Sequence, residues 1–366
     1  MLTGRAGARV VTAFLAIAVA VAGLLALAGA RTAGPTESTG EPAAAEQAVL
    51  PAVAKMSAGE GAPDEVLAGV YLSNIQAVNQ TTNSFDADFY LWLRWRNPDL
   101  DPTAGVEVMN PYMAWGLVVT PVYDQPQRQS DGSLLWLCRY QGSFNAPLSL
   151  SNYPFERQTL RIIIEDGVDT TQRVVYRPDT EPVKLDSEVT LAGYEIGEPR
   201  IEFTEFTYQS SFGEVQSSTA DRTYPRITVY IPLSSPAVSG IVKTLLPIGI
   251  VLIAAGLALV IPVVHADAKI GLAITALLAL VAMHWGVSTT LPEAGYLMMV
   301  DVFYLLAYAA VTAILAVTIA GVWVTRSRGE PAATTMERRM LIVIGAAVVV
   351  GLAAVLLLYL RHGPFG

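Results

Sequence analysis

The sequence predicts an extracytoplasmic all-β sandwich, immunoglobulin-like and of about ten strands, followed by a four-helix transmembrane bundle. Three observations lead there. Residues 64–236 alternate apolar and polar side chains in short runs bounded by turn residues. Four apolar stretches crowd the final third, each about long enough to cross a ~30 Å hydrocarbon core. The acidity is confined to the first of these regions. Residues 64–236 hold 23 Asp/Glu and 12 Lys/Arg, a net charge of −11, whereas 237–366 hold 5 and 7.

Arg5 and Arg9 precede the apolar run 10–27, and Ala28-Gly29-Ala30 offers small residues for cleavage. Residues 1–30 therefore read as a signal peptide, or as an uncleaved anchor; either exports the domain C-terminal to it. Residues 31–63, rich in Ala, Pro, Glu, Gly and Thr, suit a flexible linker. In the exported region 64–236, Phe89, Leu91, Leu93 and Trp95 share one face of a strand. Ile227, Val229 and Ile231 do so on another. Asn97-Pro98, Ser130-Asp131-Gly132 and Arg177-Pro178-Asp179 mark turns, and short strands at this spacing favour a sandwich.

The spans are expected at 244–264, 270–287, 302–324 and 341–360, so 237–325 holds three and 340–360 the fourth. Only His265 to Lys269 would join the first two. Arg326, Arg328, Arg338 and Arg339 mark 326–339 as a short cytoplasmic loop, because Lys/Arg-rich short loops stay inside. The opposite loop carries Glu293 and Asp301 without Lys or Arg. The large domain and the tail 361–366 then lie outside the cytoplasmic (inner) membrane, on a multi-pass protein.

A negative domain repels nucleic acid and gathers cations. With the single cysteine Cys138, no disulfide can form within the chain. His265, His284 and His362 are scattered, so no metal site and no cofactor is expected. Without a nucleophile elbow, phosphate loop or HExxH pattern, catalysis has no residues to carry it.

Four motifs occur in order along this topology. They are the segment from Phe89 to Pro98, the run Ser149 to Gln158 containing Tyr153-Pro154-Phe155-Glu156, the stretch Asp267-Ala268-Lys269-Ile270-Gly271, and Leu291-Pro292 followed by Tyr296 and Asp301. Together they resemble the pentameric ligand-gated ion channels, the Cys-loop receptor superfamily, in its bacterial branch, over about residues 64–360. The two cysteines that name the superfamily would fall at Ala146 and Leu160. The acid of the signature loop is Glu156 where the family has Asp. The family's arginine before the first span is replaced by Ser234-Ser235-Pro236, leaving Arg226 or Lys243 to face that acid.

Placed on an α-helix, Asp267, Gly271, Thr275, Leu278, Ala282, Trp285 and Thr289 form one stripe, since steps of three and four residues stay on one face. The resemblance turns that stripe toward a pore axis. Asp267 would then form a ring of carboxylates that attracts cations, and Leu278 and Trp285 apolar rings that close by dewetting. Packing against neighbouring helices is the simpler role for those two. The resemblance implies that a basic residue at the position of Lys269 is usually turned off the axis in cation-selective members; a Lys269 facing the axis would weaken or reverse selectivity. His284 is either a proton sensor or a neutral histidine bonded to a neighbouring helix.

The resemblance implies ligand binding between subunits in an aromatic box, to which Tyr90, Tyr112, Tyr208 and Phe212 are assigned, with Glu165-Asp166 nearby. These aromatics could equally be interface packing. Tyr153, Pro154, Phe155 and Glu156 would couple to Pro292, Tyr296 and Asp301. The whole implies a homopentamer in membrane lipid, opened by a small-molecule agonist or by protons and passing monovalent cations. A non-conducting membrane sensor that signals through a partner is the alternative.

Overall fold

A computed structural model of the chain describes residues 62–210, 213, 222–292 and 295–362. The expected signal peptide, all but the last two residues of the expected linker, and Phe212 lie outside the described residues. Two compact units are present. One holds the strands, up to Leu148 and again over Arg157–Ser234; the other holds the helices together with Ser149–Glu156.

The strand unit contains eleven strands among the described residues: β1 (Asp64–Asn79), β2 (Ser84–Trp95), β3 (Val106–Val108), β4 (Val118–Pro121), β5 (Gln127–Arg128), β6 (Leu134–Asn145), β7 (Arg157–Asp166), β8 (Val174–Leu185), β9 (Glu195–Ile196), β10 (Arg200–Thr207) and β11 (Thr223–Ser234). They form a sandwich of two sheets. The larger runs β4-β6-β2-β1-β8, with β5 beside β6. The smaller runs β10-β11-β7-β3, with β9 beside β11. All neighbours are antiparallel except β1 and β8.

Alternation along each strand decides which side chains enter the core. On β2, Phe85, Phe89, Leu91, Leu93 and Trp95 point inward, while Asp86, Asp88, Tyr90, Trp92 and Arg94 stay partly exposed. On β7 and β11 the inward set is Leu160, Ile162, Ile164, Ile227, Val229 and Ile231. These residues of both sheets belong to one buried cluster. Phe89 stacks on Tyr140 at 5.3 Å between ring centroids and lies 5.8 Å from Phe144. Cys138 is fully buried in this cluster, as a small apolar residue would be.

Among its described residues the other unit has four helices long and apolar enough to cross a membrane: α1 (Ala237–Leu257), α2 (Ala266–Ser288), α3 (Met299–Arg328) and α4 (Glu330–His362). Their limits differ from the apolar stretches. α1 begins seven residues before 244, directly after Pro236, and ends at Leu257 although the chain stays apolar to Val264. Hydropathy marks where lipid is tolerated, whereas Pro262, which has no N–H to donate, helps mark where the helix has stopped. α2 begins at Ala266, so Asp267 and Lys269 belong to its first turn and not to the connection. The expected loop 326–339 is helical on both sides of Gly329, whose φ of 85° makes the reversal between α3 and α4.

Phe89→Ala leaves a cavity between the sheets. It should destabilise the sandwich by about 3–5 kcal/mol, the usual cost of emptying a buried aromatic site, read as a lower thermal midpoint in detergent.

Candidate pore helix, ligand face and coupling loop

α2 has two unlike faces. Lys269, Ala273, Ala276 and Leu280 are buried in the helix unit, where α2 packs on α1 and α3. All seven stripe positions lie on the opposite side and are exposed. Leu278 is 64% exposed and Trp285 71%, so neither is covered by another described helix. Gly271 faces open space. Thr275 Oγ1 donates to Gly271 O at 2.8 Å, and Thr289, the residue closing the helix, donates to Gly286 O at 2.9 Å. The stripe therefore presents, in order, a carboxylate, a gap, a hydroxyl, an apolar side chain, a small residue, an indole and a second hydroxyl.

Lys269 is turned inward. Its Nζ lies 2.6 Å from Glu337 Oε1 on α4, and both side chains are almost fully buried. Glu337 gave no signal in the sequence because it sits beside Arg338 and Arg339 in a stretch expected to be a loop. His284 flanks the stripe on the α3 side. Its Nδ1 is 3.2 Å from the Tyr308 hydroxyl, its Nε2 is 3.5 Å from Asp301 Oδ1, and its ring stacks on Tyr304 at 4.5 Å. It is thus a histidine bonded to a neighbouring helix.

Asp301 also starts α3. Its Oδ2 accepts the Met298 N–H at 2.9 Å, which satisfies a donor left over at the helix N-terminus. The loop Ser149–Glu156 lies against this region of the helix unit. Leu150 N–H donates to the Tyr296 hydroxyl at 3.0 Å, and Met299 N–H donates to Ser151 O at 2.9 Å. Tyr153, Phe155 and Tyr296 pack on the helix core, and Pro154 lies against Gly240 of α1. Glu156 is buried, and its backbone O accepts Ser235 N–H at 2.9 Å. Burial, and then Glu156 nearby, raise the Tyr153 hydroxyl above its ordinary pKa. Pro292 is half-buried beside buried Leu291. Arg226, one of two substitutes for the family's missing arginine, is committed elsewhere; Lys243 is exposed on α1.

The proposed box residues fall on different parts of the sandwich. Tyr90 is on the outward face of β2, with Arg139 of β6 over its ring at 5.6 Å. Arg139 Nε donates to Asp88 Oδ1 at 2.9 Å, and Gln141 reaches the other carboxylate oxygen at 3.0 Å. Hydrogen bonding from Arg139, aided by Gln141, holds the Asp88 carboxyl below the usual carboxylate range against the opposing effect of burial. Tyr112 lies in an exposed loop, its N–H donating to Ser143 O. Tyr208 follows β10 in the other sheet, where Phe206 meets it edge-on at 4.9 Å and Tyr224 at 5.9 Å.

A cation already occupies that second aromatic group. Arg226 lies over the Phe206 ring at 3.5 Å and is ion-paired with Glu165, its cross-strand partner. Tyr208 donates to Glu165 Oε2 at 2.8 Å. Cross-strand pairing explains the meeting, because residues opposite one another in antiparallel strands place their side chains about 5 Å apart. One chain therefore does not bring Tyr90 and Tyr208 together; they belong to separate sheets.

Known ion channels and receptors are among the proteins similar to this chain. A proton-gated ion channel of Gloeobacter violaceus is 26% identical over 272 residues, covering 68% of this chain and 72% of that protein. A gamma-aminobutyric acid receptor subunit beta of Caenorhabditis elegans is 24% identical over 186 residues, covering 50% of this chain and 32% of the subunit. No family model matches the chain.

The lowered Asp88 carboxyl stabilises the fold above the ordinary carboxylate pKa and loses that effect only as pH falls through its own depressed value. Arg139→Gln removes the main cause. Its melting temperature should therefore begin to fall at a higher pH than that of the unmodified protein in a series from pH 7 to pH 3.

Proposed function

We propose that this chain, a relative of the pentameric ligand-gated ion channels, is the subunit of a homopentameric, cation-selective channel gated by a ligand or by protons. The observation that carries the proposal is the bare face of α2. A helix that buries one side and exposes an indole, a leucine and a carboxylate in register on the other needs something to face. Five copies around an axis give the stripe an aqueous lumen, and head-to-tail contacts close such a ring.

In that ring Asp267 sets a circle of carboxylates at one mouth and the Leu278 and Trp285 rings form the constriction. The four exposed arginines flanking Gly329 support a mouth on the cytoplasmic side of the inner membrane, with the sandwich and the C-terminus outside. Exposed apolar residues of α4 such as Ile342, Val349 and Leu357 face lipid.

Gating works through the contacts of the loop Ser149–Glu156. A movement of this loop pulls directly on Tyr296 and Met299, which precede and begin α3 and follow α2 in the chain. An agonist opens the pore only by binding the open state more tightly. The separate placement of Tyr90 and Tyr208 suits a site completed by a neighbouring subunit. Arg226 within the Tyr208 group argues against a simple cationic amine there, because a guanidinium already holds that position. Protons as the stimulus are supported by the name of the Gloeobacter relative and by Asp166. Asp166 is fully buried, and burial pushes its carboxyl above the usual range despite the N–H groups of Asp169 and Val168 that it accepts.

Purified protein in planar bilayers, recorded across a pH series and with an amine panel, tests the proposal. The expected result is a gated current whose reversal potential follows the sodium gradient, with Asp267→Asn lowering the cation-to-anion permeability ratio. A reversal potential that follows chloride removes cation selectivity, and silence under every condition favours the non-conducting sensor. Tyr296→Phe deletes the acceptor of the Leu150 N–H, an interaction worth about 1 kcal/mol. It should shift half-activation by several-fold in agonist or proton concentration while leaving the reversal potential unchanged.

A further inference from the structure

α2 carries two oppositely charged side chains two residues apart, Asp267 and Lys269, and they have opposite fates. Asp267 is exposed on the stripe, whereas Lys269 is 1% exposed and pairs with Glu337 at 2.6 Å. Glu337 is itself the exception on its helix. Its charged neighbours Arg338 and Arg339 are exposed, as is Glu330 at the start of α4. The pocket that receives its carboxylate is opened by Gly321 of α3, because a Cβ there would collide with the Glu337 carboxylate. Three helices thus converge on one ion pair.

We propose that Glu337 is a selectivity-determining residue of the channel, acting by position: it holds the Lys269 ammonium inside the helix unit and so leaves Asp267 as the sole charge on the α2 stripe. The inference rests on α2 lining the pore as proposed above. An ammonium is not left unpaired among apolar side chains, since burial without a partner costs several kcal/mol. A lysine on a flexible four-carbon stem that loses its carboxylate carries its charge to the nearest water. On a pore-lining α2 that water lies beside Asp267, where each ammonium cancels a carboxylate of the ring.

Two readouts on Glu337→Gln test this. The first does not depend on conduction. Purified, size-selected protein is treated with a water-soluble amine-acylating reagent and the lysines are mapped by mass spectrometry. Lys269 should be protected in the unmodified protein and acylated in the variant, with Lys184, 64% exposed, as the labelled control in both. The second is the permeability ratio, which should fall several-fold in Glu337→Gln and return in the Lys269→Gln/Glu337→Gln double variant. Should Glu337→Gln fail to assemble, Glu337→Asp, one methylene shorter, should show both effects at smaller size.

Lys269 remaining protected in these variants overturns the inference whatever the currents do. An acylated Lys269 with an unchanged ratio also overturns it. If Lys269 becomes acylated while the unmodified protein carries no current or follows chloride, the positioning by Glu337 stands and the channel proposal falls.

Discussion

An ammonium and a carboxylate held 2.6 Å apart among apolar helices fix the rotation of α2 about its own axis. Lys269 sits in the first turn of that helix, so its direction sets the direction of every residue after it. With Lys269 inward, Ala273, Ala276 and Leu280 follow inward at helical spacing, and the stripe from Asp267 to Thr289 is carried to the outside. Small residues on the inward face let α2 lie close to its neighbours. A rotation by one residue would bury Asp267 or Trp285 and expose the ion pair, each at an electrostatic or steric cost.

The other end of α2 is held by polar contacts of a different kind. His284 is set among Tyr304, Tyr308 and Asp301 of α3, and Asp301 also caps that helix. The connection between α2 and α3 is in turn bonded to the loop Ser149–Glu156 through Tyr296 and Met299. The buried acid Glu156 is part of that loop, whereas Arg226 pairs with Glu165 within the sandwich. Hydrogen bonds from backbone groups join this loop to Tyr296 and to the start of α3. They are short-range and directional, so small displacements of the loop are felt by the residues they join.

The sandwich shows the same division between packing and chemistry. Its core is built from alternate residues of long strands, and its charged side chains pair across strands: Asp88 with Arg139, Glu165 with Arg226, Asp179 with Arg94. The pairing of Arg226 turns an aromatic group that would suit an incoming cation into one that already has its own. Electrostatics of this kind depends on register, and one residue of slip would carry each partner to the opposite face.

Much of this was determined by the sequence alone. Period-two alternation is enough to place Phe89, Leu91, Ile227 and Val229 in a sheet core, because a strand has only two faces. Long apolar runs are enough to reveal four spans, because lipid excludes charge. Helical counting is enough to group Asp267, Leu278 and Trp285, because 3.6 residues per turn is a property of the backbone. The tertiary structure decided which of α2's faces is bare, that Lys269 finds Glu337 across 68 residues of chain, and that Arg226 and Tyr208 meet at Glu165. It also moved the helix ends, since α1 stops while the chain is still apolar and α4 begins while it is still polar. The reason is the same in each case. Periodicity and hydropathy are local quantities, whereas an ion pair between distant segments exists only once packing has brought them within a few ångströms.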